Sequence, residues 1–94
     1  MNTRQTRKIQ SSLTSKGFIT ENTHHCCLVL QIGGRNSHIR TYYSHGAKEC
    51  GDFHLKLMAN QLCLTKQELF DLIDCQLGKE ALIQTLRERG ALRL

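Results

Sequence analysis

Ninety-four residues, 39% of them hydrophobic, are enough for one modest core and too few for two. The net charge of +5 is unevenly placed: residues 1–22 carry +3, residues 23–50 carry +2, and residues 51–94 balance to zero. A basic half on a chain of pI near 9.2 points to a polyanion, RNA or DNA, before a membrane, because no apolar run is long enough to span a bilayer. The same charge also suits solubility alone.

The chain opens on a predicted helix, Thr3 to Lys16, in which Ile9 and Leu13 form a narrow apolar stripe and Arg4, Arg7 and Lys8 spread over the rest. Gly17 stops it, since glycine just past a lysine is a common helix C-terminal signal. Phe18 to Thr20 then reads as a short strand returning to the core.

Thr23 to His45 organises the rest. Cys26–Ile32 is apolar, Ser37–Tyr43 alternates and carries Ile, Thr and two Tyr, and Gly33-Gly34 between them permits the positive φ of a tight turn. A two-residue loop sets Leu30 opposite Ser37, Leu28 opposite Ile39, Cys26 opposite Thr41 and His24 opposite Tyr43. A three-residue loop would place Leu28 against Arg40 and is rejected on burial grounds. The hairpin therefore has one apolar face (Leu28, Leu30, Ile39, Tyr43) and one on which His25, His38, Arg40 and Tyr42 converge.

Ser44-His45-Gly46 reads as a turn, followed by a helix starting near Gly51 or Asp52 with Leu55, Met58, Ala59 and Leu62 buried. Thr65-Lys66-Gln67-Glu68 matches the capping box, with Leu69, Leu72 and Ile73 on the inner side of the helix it opens. A last helix spans about Lys79 to Arg89, with Ala81, Leu82 and Leu86 inward and Gly90 as its stop. The predicted fold is α+β: an N-terminal helix, a three-stranded antiparallel sheet and three C-terminal helices. It forms one domain, 1–94, with a core over 1–64 and a helical hairpin over 65–94.

Cys26, Cys27, Cys50, Cys63 and Cys75 are odd in number, two are adjacent and no signal-peptide pattern precedes them. They read as reduced thiols of a cytoplasmic protein. His45, Cys50 and His54 lie close in sequence, but there is no C-x-x-C pair and the spacing fits no common structural zinc site, so neither metal nor cofactor is expected.

Lys16-Gly17-Phe18 followed by Thr23-His24-His25 resembles the HicA family of small toxins from bacterial toxin–antitoxin systems. The resemblance covers about residues 4 to 64. It implies a double-stranded-RNA-binding-domain-like core, helix–three strands–helix, and mRNA cleavage by a histidine that follows a Gly-Ser pair. Asn22-Thr23 stands where the family has that pair. His24 matches the catalytic position, and His45 sits roughly where the family has a second histidine. The register instead favours His25, which shares a face with Tyr42 and Arg40.

Two main function classes follow. A metal-free ribonuclease would use His24 or His25 as general base and His45 as acid, with Arg40 steadying the phosphate. A non-catalytic module would bind RNA through Arg4, Arg7, Lys8, Arg35, His38, Arg40 and Tyr42, with Tyr42 stacking on a base. Partners expected are RNA and an antitoxin or host nucleoprotein, the latter if the chain is a mobile-element or phage inhibitor of the anti-CRISPR kind. A third class, a scaffold or dimerisation protein, would use the charge-balanced C-terminal helices as its interface.

Overall fold

Thr6 decides where the first helix begins. In the computed structural model, which describes residues 3–22, 25–44 and 46–92, the Thr6 N–H donates to the Lys48 carbonyl at 3.0 Å and its hydroxyl donates to the Ala47 carbonyl at 2.7 Å. These bonds tie the helix start to the chain after the hairpin. The preceding residues, expected to be helical, form a short strand instead. Strand β1 (Arg4–Gln5) pairs antiparallel with β5 (Glu49–Cys50), with Arg4 opposite Cys50 and Gln5 opposite Glu49. The backbone pairing and the Arg4 contacts to Asp74 outweigh the helical tendency of so short a leading segment.

Helix α1 (Thr6–Thr14) buries Ile9 and Leu13, together with Thr6 and Ser12. The chain leaves it through Gly17 at φ 98°, where a side chain would be strained and would run into Lys79. It then enters β2 (Phe18–Asn22), β3 (Cys26–Ile32) and β4 (Arg35–Tyr43), an antiparallel sheet in the order β2-β3-β4. Gly33 and Gly34, both at positive φ, make the β3–β4 turn.

The hairpin register differs from the simple two-residue-loop expectation. Near the turn the expected pairing holds, with Ile32 opposite Arg35 and Gln31 opposite Asn36, but beyond a bulge Val29 opposes Arg40, Leu28 opposes Thr41, Cys27 opposes Tyr42 and Cys26 opposes Tyr43. Ser37 accounts for the slip. Its buried hydroxyl donates to the Leu30 carbonyl at 2.7 Å and accepts from the Ile39 N–H at 3.2 Å, so the side chain takes a place that backbone pairing would otherwise fill. Because β4 gains two residues over β3, the side-chain alternation survives the bulge. Leu28, Leu30, Ile39 and Tyr43 are buried, and His25, His38, Arg40 and Tyr42 are exposed.

Three helices complete the molecule: α2 (Asp52–Gln61), α3 (Lys66–Ile73) and α4 (Lys79–Glu88). The capping box at α3 is present in full: Thr65 accepts from the Glu68 N–H at 3.1 Å and Glu68 accepts from the Thr65 N–H at 2.8 Å. Leu82 and Leu86 anchor α4, whereas Ala81, expected inward, is exposed at its first turn. A methyl group contributes too little burial to set the rotation of a helix against two leucines.

One cluster of buried residues joins Ile9 and Leu13 of α1, Leu28, Leu30 and Ile39 of the sheet, Leu55 and Met58 of α2, Leu69, Leu72 and Ile73 of α3, and Leu82 and Leu86 of α4. That cluster contains none of Cys27, Val29, Arg40 or Tyr42. The helices therefore cover one face of the sheet and leave the other as a surface.

Candidate nucleic-acid interface

Alternation in three strands builds the uncovered face. Glu21, Cys27 and Tyr42 form one cross-strand row, and Ile19, Val29 and Arg40 form the next. Val29, on the central strand, is fully buried between flanking rows, and the edge positions are exposed or half-buried. At the end of the face nearest the hairpin mouth, the His25 ring lies 5.1 Å from the Tyr42 ring, centroid to centroid, at a tilt of 53°. Tyr42 is 44% exposed, so this aromatic pair remains partly open to solvent.

Arg40 stands one row along. A guanidinium nitrogen approaches the Ser37 carbonyl at 3.4 Å, and the group is close enough to the Cys27 thiol to favour its anion. Burial nevertheless wins at Cys27 and raises its pKa, with the Glu21 charge adding to the rise. The face thus pairs a cation and two aromatic rings with one carboxylate.

The other predicted phosphate contacts are divided among separate places. Arg4 is committed elsewhere: its guanidinium donates to both Asp74 carboxylate oxygens, at 3.1 and 2.8 Å, and lies 4.5 Å from the Phe70 ring centre. Lys8 sits 3.5 Å from the same carboxylate with its side chain half-exposed. Arg7 lines an open groove with Gln5, Thr6, Gly46, Ala47 and Lys48, where the start of α1 meets the chain after the hairpin. His38, inside the bulged segment, lines a second groove with Cys63, Gly90 and Ala91, near the ends of α2 and α4. Arg35 is exposed at the hairpin tip.

Of the four residues expected to converge, His25 and Tyr42 meet, Arg40 stands one row along, and His38 lines the groove beside Cys63, Gly90 and Ala91. His24 and His45 lie outside the described residues. Cys27 belongs to the face, as the alternation of the hairpin placed it, whereas Glu21 was missed, although the alternation of Phe18–Asn22 could have placed it beside Cys27 had the strand been read two residues further. Among the described residues, no group of three or more His, Cys, Asp or Glu side chains could hold a metal ion, and no helix is long and apolar enough to cross a membrane.

No family model, curated protein or solved structure matches the chain.

Proposed function

We propose that this protein is a small RNA-interacting protein that works as a HicA-like ribonuclease, holding a single strand against the uncovered face of its sheet. The observation that carries the reading is the half-open His25–Tyr42 ring pair with Arg40 one row away. An unpaired base stacks on such a ring at about 1–3 kcal/mol, and a guanidinium takes the neighbouring phosphate bidentately. The order α1, three-stranded sheet, α2, interrupted by the two-residue β5 before α2, supports the resemblance at the level of topology alone.

For cleavage, a neutral histidine at the hairpin mouth removes the proton from a ribose 2′-OH. The oxygen attacks the adjacent phosphorus, the bond to the 5′-oxygen breaks, and a second group, assigned to His45, returns a proton to the leaving oxygen. Arg40 steadies the charge that grows on the phosphate. A toxin of this kind would be held in check by an antitoxin covering the same face.

The test is incubation of single-stranded RNA with the full-length chain, read as intact against cleaved RNA and by gel shift at two salt concentrations. The wild type should cut. His24→Ala or His25→Ala should slow cleavage by roughly 100- to 10,000-fold with little loss of affinity, because a neutral imidazole contributes little to phosphate binding. Tyr42→Ala and Arg40→Ala should weaken binding, and Arg40→Ala should also flatten the salt dependence by about one phosphate contact. RNA left intact while a salt-sensitive shift persists would replace the ribonuclease with a non-catalytic binding module, such as a mobile-element inhibitor of a host nucleoprotein. No shift at any salt would remove RNA altogether.

A further inference from the structure

The cysteine that follows α3 is unlike the other four. Lys16 is only 7% exposed, yet its ammonium has no carboxylate partner among the described residues. Its two polar contacts are the Ser12 carbonyl at 3.5 Å and the Cys75 sulfur at 3.3 Å. A buried ammonium without an anion is costly, and the sulfur supplies one only as the thiolate. The alternative acceptor for an S–H is poor: the Ile73 carbonyl is 3.9 Å from the sulfur and already accepts the Ser12 hydroxyl at 2.6 Å. Cys75 itself is exposed, so a small reagent reaches the sulfur while the lysine behind it stays dry.

We propose that Cys75 is an oxidant-responsive modification site, a thiolate held by the buried Lys16 ammonium that takes a peroxide as its substrate. The thiolate sulfur attacks one peroxide oxygen, the O–O bond breaks, and the leaving hydroxide takes up the proton of the new S–OH, so that water and a sulfenate result. The sulfenate's oxygen remains within reach of the lysine, which stabilises the anion. The charges around the sulfur agree in sign with this chemistry. Lys16 lowers the pKa of the thiol by its hydrogen bond and its charge, Ser12 and Lys8 of α1 add to the effect, and neighbouring Asp74 is itself occupied by Arg4 and Lys8.

Cys63 is an internal control. It follows α2 as Cys75 follows α3, is also exposed, and has φ 60° where Cys75 has φ 65°. The cation beside it, Arg89, donates to the Cys63 carbonyl and to Glu68.

The experiment treats the full-length protein with hydrogen peroxide and dimedone, a trap for sulfenic acid, and maps the label over all five cysteines. At neutral pH, Cys75 should label faster than Cys63, because the thiolate is the nucleophile and Lys16 favours it at Cys75. Its rate should level off at a lower pH than it does in the Lys16→Met variant. Lys16→Met should bring Cys75 down to the Cys63 rate. Equal labelling of the two cysteines in the wild type overturns the proposal, and so does fast labelling of Cys75 that persists in a folded Lys16→Met variant. The wild-type comparison decides the matter even where the variant does not fold.

Discussion

Glu68 shows how a local motif and a distant partner combine in one side chain. Its carboxylate closes the capping box of α3 and receives two hydrogen bonds from Arg89, at 2.7 and 2.5 Å. Arg89 first, helped by the Thr65 backbone and hydroxyl and opposed by burial, lowers the pKa from the ordinary 4.5 to about 2. Since the folded value lies below the unfolded one, the interaction stabilises fully above pH 4.5 and is lost as pH falls toward about 2. Glu68→Gln should therefore lower stability near neutrality and reduce the loss on acidification, as read from urea midpoints at about pH 6 and about pH 3. Asp74, held low by Arg4, keeps its own acid sensitivity in that variant. Thr65-x-x-Glu68 was legible in the sequence because the motif is complete within four residues. Its arginine was not, because nothing in the pattern links positions 68 and 89. Lys16 was hidden for the same reason: a lysine before a helix-ending glycine reads as a solvated charge, and only the fold brings Cys75 to it.

At the level of elements, β4 shows why the faces of a strand are easier to read than its partners. Alternation of Ser37, Ile39, Thr41 and Tyr43 with His38, Arg40 and Tyr42 fixes the two faces, and a slip of two residues leaves them unchanged. The slip itself depends on one hydroxyl, and serine in a strand carries no mark of such a role. Ser37→Ala should leave the Leu30 carbonyl and the Ile39 N–H without that partner, at a cost of about 1–3 kcal/mol. The same change should free the hairpin to return toward the unbulged register. Amide hydrogen exchange at Ile39 checks this directly, and a loss of protection should accompany the lower denaturation midpoint. The site was legible to the same extent as the faces: His25 and Tyr42 were read correctly as a pair, Arg40 stands one row along, and His38 borders the groove with Cys63, Gly90 and Ala91, which no alternation could show. The pairing of β1 with β5 was not legible at all, since two residues on each side leave no periodicity to detect.

Across the whole molecule, the core is shared between the sheet and all four helices. Leu69, Leu72 and Ile73 of α3 and Leu82 and Leu86 of α4 are fully buried in the same cluster as Ile9 and Leu28. Burying each contributes roughly 1.5–3 kcal/mol, more in sum than a domain of this size has to spare. A chain ending at Cys63 should accordingly be insoluble or melt far below the full-length protein, and an unchanged melting temperature would make residues 65–94 an independent appendage. Helix stripes made this shared core readable in advance, but its closure was not. Arg4, in the opening strand, is clamped to Asp74 at the end of α3, seventy positions away. During synthesis the β3–β4 hairpin can form soon after its turn emerges, whereas the inner side of the sheet waits for helices that the ribosome has not yet made. Until α2 and α3 are added, the nascent chain carries a sheet whose inner side has only α1 to cover it, and that interval is when it most needs a chaperone or a partner to keep it from aggregating.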